Sequence, residues 1–321
     1  MRGGPRLAVK AGGAAAGIFG ALAAVYVAAA RAVPPDAVSA VALPGVGRAI
    51  HGWSGIDVSH DGSQFWAVTD FGAATSGRLL RDGAGRLVGV EAPSPVSLDG
   101  PNGEILHAGQ SDIEGIDMRP SDGTAHVVFE MWNRLRMFPP GSRTGQWRPD
   151  IPKGAVRRAN AGLEAVASDR FGRIYAIPER PPRGAADMPV LRFTRRAWMT
   201  VHDWQVAFYL ERERPWRVTG ADFGPDGALY VLERRFLGPV FASRIRRVAD
   251  AAAVPRGAHV RGTVVYESPF GRHGNLEGLA IWVDPEGRVR AVMVSDDNGN
   301  AWQRAEMVEV PLPLAQPDQP E

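Results

Sequence analysis

Acidic residues recur along this chain at matching places in a repeated phrase, and that recurrence sets what chemistry the chain can hold. The phrase opens on a small or acidic residue and runs through an apolar stretch, an Asp/Gly-type turn and a second apolar stretch to an acid. It opens at Ser54, Glu114, Glu164, Thr219 and Glu277, and closes at Asp70, Glu130, Glu179, Glu233 and Asp296. Eight of those ten positions are carboxylates. Gathered at one place they repel unless something neutralises them. A hard cation such as Ca²⁺ would do so, since it takes six to eight oxygen ligands in tolerant geometry. Glu114, Glu164, Glu277 and Asp296 are the expected metal ligands, in segments (Asp112–Glu114, Asn275–Glu277, Ser295–Asn298) rich in side-chain oxygens. The other neutraliser is arginine: Arg134, Arg180, Arg234 and Arg235 follow the closing acids closely. The plain alternative is that acids and arginines only tie neighbouring elements together.

The elements that must position these residues are strands. Between the two apolar stretches lie Asp61-Gly62, Asp122-Gly123, Phe171-Gly172, Asp226-Gly227 and Glu286-Gly287. Gly accepts positive φ and Asp bonds its own backbone, so each copy reads as a β-hairpin. A third alternating segment follows in each copy (Arg78–Arg81, Leu135–Phe138, Val190–Phe193, Arg244–Val248, Met307–Val310). Gln205–Tyr209 and Thr263–Tyr266 can serve as outer fourth strands. The copies start 60, 50, 55 and 58 residues apart, close to the blade length of a β-propeller. The expectation is an all-β single propeller of five four-stranded blades, or six if a degenerate copy lies between Arg81 and Asp112. The segment around Val38–Leu43 would close the ring within the last blade. First and last residues of a hairpin lie side by side, so all ten repeat positions should gather around one channel mouth.

The ends of the chain carry other information. Arg2, Arg6 and Lys10 precede an uncharged run, Ala11–Ala30, and Ala30-Arg31-Ala32 fits a cleavage site. Residues 1–32 therefore read as a signal peptide. The alternative is a membrane anchor formed by residues 11–30. Either places the body, 36–314, outside the cytoplasm: periplasmic, secreted or inner-membrane anchored. Residues 315–321 read as a frayed Pro-rich tail. There is no cysteine, which excludes disulfides and thiol catalysis. Net charge is +2 with basic residues dispersed, so a nucleic-acid surface is unsupported. The chain is expected to be a monomer acting on a small anionic substrate, with no nucleic-acid partner and no membrane contact beyond such an anchor.

The phrases SGIDVSHDGSQFWAVTDFG, QSDIEGIDM, NAGLEAVASD, VTGADFGPDGALYVLERRF and NLEGLAIW followed by SDDNGNAWQ resemble the bacterial phytase-like family, also described by esterase-like activity of phytase. The match runs from about Ser54 to Val310. The resemblance implies an exported propeller that hydrolyses phosphate esters. On that reading a Ca²⁺ or other divalent ion at Glu114, Glu164, Glu277 and Asp296 polarises the ester. Arg134, Arg180, Arg234 and Arg235 bind phosphate through forked guanidiniums, and Asp70 or Glu233 acts as base. Lactone or carboxylic ester hydrolysis is a second reading, and a non-catalytic envelope binding module a third. Other signals fall away. Arg272-His273-Gly274 lacks the second Arg and Pro of a histidine-phosphatase motif, and no G-x-S-x-G or Walker loop occurs.

Overall fold

Each copy of the phrase folds as a hairpin because its turn glycine supplies the backbone that the turn needs. Gly62, Gly123, Gly172, Gly227 and Gly287 have φ between +67° and +78°, a region L side chains avoid. The computed structural model describes residues 37–43, 51–107, 110–131, 133–147, 151, 155–156, 162–195, 202–300 and 303–313. The expected signal peptide (1–32) and tail (315–321) lie outside the described residues.

Five small sheets follow one another along the chain. The first strand, β1 (Ser39–Ala42), precedes the repeats. Blade 1 runs β2 (Trp53–Val58), β3 (Gln64–Thr69), β4 (Ala73–Arg81) and β5 (Leu87–Glu91), with β6 (Val96–Ser97) beside β4. Blade 2 is β7 (Ile113–Met118), β8 (Ala125–Phe129), β9 (Arg134–Phe138) and β10 (Gln146–Trp147). Blade 3 is β11 (Leu163–Ser168), β12 (Ile174–Pro178), β13 (Met188–Arg195) and β14 (His202–Leu210). Blade 4 begins β15 (Arg217–Phe223), β16 (Leu229–Leu237) and β17 (Val240–Val248). The chain then lays β18 (His259–Val260) parallel to β14, and β19 (Thr263–Glu267) completes blade 4. Blade 5 is β20 (Asn275–Val283), β21 (Val289–Asp296) and β22 (Glu306–Pro311), and β1 pairs antiparallel with β22 as its outermost strand.

The protein is thus a five-bladed propeller. The third and fourth strands expected from sequence, and the closure by Val38–Leu43, are as anticipated. A sixth blade is not present: the stretch after Arg81 supplies β5 and β6 of blade 1 and bridges Asp99–Ile105 and Asp99–Thr144. No α-helix occurs among the described residues.

The core lies between the blades. Five buried apolar clusters occupy the five seams, one per pair of neighbouring blades. At the closing seam between blades 5 and 1, Arg81 clamps the fully buried Glu309 through two bonds, Nη1–Oε1 of 2.9 Å and Nη2–Oε2 of 2.7 Å. The same guanidinium sits 4.3 Å above the Trp282 ring. The inner strands β2, β7, β11, β15 and β20 contact one another in ring order, and the channel between them is pinched to a void of about 10 Å³. That is too small for more than one water. The channel is therefore not a conduit.

Candidate active site at the channel mouth

The five opening positions of the phrase share one backbone device. Pairing in each inner hairpin skips a single residue: Ser54 between Trp53 and Gly55, Glu114 between Ile113 and Gly115, Glu164 between Leu163 and Ala165, Thr219 between Val218 and Gly220, and Glu277 between Leu276 and Gly278. Each is the extra residue of a β-bulge, a feature that re-aims a side chain off the regular pleat. Four of the five are followed by glycine, because the inner strands touch there. A Cβ on Gly278 would lie 2.7 Å from the Ile56 nitrogen, and one on Gly220 would lie 2.6 Å from the Glu277 carbonyl.

A second ring stands just outside the first. In blades 1, 2 and 3 the residue after the last inner pair is Asp70, Glu130 and Glu179; in blade 5 it is Asp296, which pairs with Asn275. In blade 4 the pairs are Val218–Glu233 and then Arg217–Arg234. The equivalent residue is therefore Arg234, not Glu233. A slip of one residue along a strand moves a side chain to the other face. Glu233 accordingly is buried, 3% exposed, between Arg244 (Nε–Oε2 2.7 Å) and Arg246 (Nη2–Oε1 2.5 Å). Contrary to the expectation of a base at the mouth, Glu233 belongs to a packed ion-pair network.

Arg234 is the central cation. It bonds Glu277 directly and Asn275 Oδ1 at 2.5 Å, and lies 3.8 Å from Glu179. Burial opposes its charge, but Glu277, Glu164 and Glu179 outweigh that and hold it protonated above its ordinary range. Arg180 Nε lies 2.9 Å and Arg217 Nη1 3.2 Å from the Glu179 carboxylate. Among the described residues, Arg180, Arg217 and Arg234 are outnumbered by the carboxyls around them. Burial, followed by the charge of Asp296, pushes Asp70 up to about 7, and its Oδ1 is buried with no hydrogen-bond partner. Burial and then Glu277 push Asp296 to about 7. Burial also raises Glu130 to about 7, against the Gly162 N–H that it accepts at 3.1 Å. Glu114 and Glu164 are pushed well above the carboxylate range, first by burial; Glu164 then raises Glu114, while Arg234 counteracts at Glu164. Burial raises Asp112 as well, and its carboxyl stands beside those of Glu114 and Glu130. Carboxyl oxygens adopt such contacts only with protons or a cation between them. The donor oxygens of Asp112, Glu114 and Glu130 all lie within 4.8 Å of one another, an all-oxygen set suited to a hard divalent ion.

The family model for phytase-like proteins, described as esterase-like activity of phytase, matches residues 48–299. The chain belongs to the phytase-like family. No curated protein matches it. Among solved structures it is similar to a GH43 glycoside hydrolase with endo-xylanase and exo-arabinofuranosidase activity, at 14% identity and TM-score 0.51. That match covers 87% of this chain and 52% of that one. An endo-arabinase from Bacteroides thetaiotaomicron matches at 12% identity and TM-score 0.48, covering 84% and 96%. A gluconolactonase from Xanthomonas campestris matches at 12% identity and TM-score 0.45, covering 81% and 72%. These likenesses are of fold.

In this phytase-like propeller the sequence-derived residues fall into three groups. Asp70, Glu114, Glu164, Glu277, Asp296, Arg180 and Arg234 face one another at the mouth, as the hairpin geometry demands. The tightest oxygen set, however, is Glu114 with Asp112 and Glu130, whereas Glu277 is taken by Arg234 and Asn275 Nδ2 at 2.6 Å. Arg235 is turned to the other face of β16, bonded to Glu267 at 3.1 Å and stacked on Trp216 and Phe270. Arg134 opens β9 opposite Phe129. Arg217 was missed; its place in the first inner pair of blade 4 was readable only with the register in hand. His273 of the Arg-His-Gly stretch is buried, bonded to the Tyr266 hydroxyl at 3.0 Å, so it is no nucleophile.

A second carboxylate ring at the other end of the inner strands was also missed. Asp57, Asp117 and Asp222 each stand three residues past a bulge. Each accepts an N–H from the next blade's inner strand: Met118 at 2.5 Å, Ser168 at 2.7 Å and Ile281 at 2.6 Å. Asp117 also holds His126 Nδ1 at 2.8 Å. These carboxyls join blades.

Proposed function

We propose that this phytase-like propeller is an exported hydrolase of phosphate esters working at the channel mouth. One observation carries the reading: carboxyls held near neutral pKa share the mouth with partly exposed guanidiniums. A phosphate ester brings negative charge that must be met by cations, and its hydrolysis needs a proton acceptor matched to the working pH. Arg180 and Arg217 each spend one edge on Glu179, and the rest of each fork can bind phosphoryl oxygens in pairs. Asp70, at about 7 with an unpartnered oxygen, takes the proton of the attacking water. Asp296, equally raised beside it, holds a proton that can be returned to the leaving alcohol. Arg234 fixes Glu277 and Glu179 and so sets the shape of the ring. Asp112, Glu114 and Glu130 would hold a Ca²⁺ or another divalent cation, which when bound would supply Lewis-acid polarisation of the ester and a more acidic water.

The export proposal rests on the residue pattern of 1–32: the product should begin near Val33 outside the cytoplasm. The test of the chemistry is a substrate panel on purified mature protein. Phosphomonoesters should be hydrolysed, and Asp70→Asn should lower kcat at least 100-fold, the range for loss of an acid–base group. Turnover of carboxylic esters or lactones alone, with the same Asp70 dependence, would move the substrate class to those bonds. A protein inactive on every ester, yet binding anions at the mouth, would be a binding module.

A further inference from the structure

The β16–β17 hairpin does not stop at the mouth. Blades 1, 2 and 3 turn at or just beyond their second-ring residue, β3 ending at Thr69, β8 at Phe129 and β12 at Pro178. In blade 4, pairing continues past Arg234–Ser243 through Arg235–Ala242, Phe236–Phe241 and Leu237–Val240. The hairpin therefore stands above the ring as a wall. Its alternation decides which side chains look over the mouth. Arg234 and Phe236 share one face, and Glu233, Arg235 and Leu237 share the other. Arg234 reaches Glu277 and Glu179, so Phe236 lies on the mouth side, and its ring rests over the Arg217 guanidinium at 5.1 Å. Arg217 in turn holds Glu179. Phe236 is nonetheless 53% exposed, with one ring face on a guanidinium already proposed to bind phosphate.

We infer that Phe236 is a specificity-determining residue that receives a flat apolar group carried by the alcohol of the phosphate ester, which makes aryl phosphates the preferred substrate class. The inference rests on the phosphate-ester reading above. The composition of the wall tip separates an apolar group from a hydroxylated one. Phe236-Leu237-Gly238-Pro239-Val240-Phe241 contains no side chain able to donate or accept a hydrogen bond. A polyhydroxylated ring laid against it would find no side-chain hydrogen-bond partner there to add to the stacking contact. An apolar ring gains both burial and offset stacking. The arrangement of phosphate on Arg217 and ring on Phe236 matches a ligand whose anionic and apolar parts are directly joined.

The experiment compares 1-naphthyl phosphate with glycerol 2-phosphate in the wild type, Phe236→Ala and Phe236→Trp. Phe236→Ala should lower kcat/KM for the naphthyl ester about tenfold, the scale of one aromatic contact, and leave the glycerol ester within about twofold. Phe236→Trp should restore the naphthyl preference. An equal loss on both esters, or no loss, overturns the inference. Equilibrium binding of 1-naphthyl phosphate, followed by its fluorescence, separates this from failure of the proposed function. A wild type that hydrolyses neither ester but binds the naphthyl ester, with binding lost in Phe236→Ala, keeps the apolar subsite and removes only the reaction; binding indifferent to the substitution overturns the subsite. Vesicles of phosphatidylglycerol and phosphatidylethanolamine form the last arm. If Phe236→Ala abolishes vesicle binding while naphthyl phosphate kinetics and binding stay unchanged, the tip is a membrane contact and the inference fails.

Discussion

Glu233 and Arg234 are consecutive in β16 and look in opposite directions, Glu233 into a buried clamp with Arg244 and Arg246, Arg234 across the channel mouth to Glu277. The pair separates scaffold from site within one peptide unit. Glu233 sits in a buried ion pair, where loss of one partner strands the other and costs about 3–5 kcal/mol, and Arg234 and Glu277 form a partly buried one.

Substitutions at the two positions should therefore diverge in function while agreeing in stability. Glu233→Gln should lower the melting temperature but leave kcat/KM for phosphate esters close to wild type. Arg234→Met should lower both, because Glu277, Glu179 and Glu164 lose their shared cation. Thermal melts with parallel steady-state assays make the comparison. Unchanged activity in Arg234→Met would detach the ring from catalysis.

Removal of divalent ions should destabilise the protein. An ion bound only by the folded state stabilises it by about 2.7 kcal/mol when free ion stands at 100 times its dissociation constant. Chelator should lower the melting temperature and added Ca²⁺ restore it. Glu114→Gln should blunt that response most, since Glu114 lies in the Asp112–Glu114–Glu130 set. Glu277→Gln should blunt it less, because Arg234 already neutralises Glu277. Identical melting with and without chelator in the wild type would exclude a resident ion.

The far ring predicts a pH dependence of stability separate from the mouth. Burial and the neighbouring Asp117 push Asp57 up to about 7, and burial followed by Asp57 raises Asp222 well above its ordinary value. The folded state thus binds protons that the unfolded chain releases near pH 4. Stability from this ring is complete below that pH and is lost as pH rises toward 7. Asp57→Asn mimics the protonated carboxyl, so its melting temperature should vary less with pH between about 4 and 7 than that of the wild type. Urea midpoints across that range provide the measurement; parallel curves for the two proteins would contradict the assignment.

The hairpins, their turns, the outer strands of blades 3, 4 and 5 and the gathering of acids at one mouth are legible in the sequence, because Asp-Gly turns and apolar alternation are local signals; the short β5 and β10 are not. What escaped depends on register. Acidity points to Glu233 as the closing residue of blade 4, while the bulge at Thr219 and the pairing of Arg217 with Arg234 put a cation there. Thr219-Gly220 marks the bulge, but nothing local marks which of Glu233 and Arg234 follows the last inner pair. The far ring had a readable sign that went unused: Ile56-Asp57, Ile116-Asp117 and Ala221-Asp222 repeat an Asp at one position of the phrase. The Asp112–Glu114 segment is visible in the sequence, but its meeting with Glu130 depends on the other strand of the same hairpin.

Crowding at the channel axis gives a steric prediction. A methyl group on Gly278 would meet backbone, the Ile56 nitrogen at 2.7 Å and the Gly55 carbonyl carbon at 2.9 Å. Backbone cannot swing aside as a side-chain tip can, so Gly278→Ala should cost roughly 1–3 kcal/mol. Gly287→Ala, in an open turn with φ +78°, should also be destabilising, through backbone strain alone. A Gly278→Ala protein melting as wild type would show that the inner strands can part without loss.

The pairing of β1 with β22 orders events in time. Ser39 finds Glu309 and Ala42 finds Glu306, so a strand made before the five repeats waits for one made at the end of the fifth. Until then β1 is an unsatisfied edge, able to pair with any exposed strand, including one from another chain. Closure across so long a stretch of chain is entropically costly and slow. Ring completion is therefore the step most exposed to misassembly, and the Arg81–Glu309 clamp beside it latches blade 1 to blade 5 once they meet.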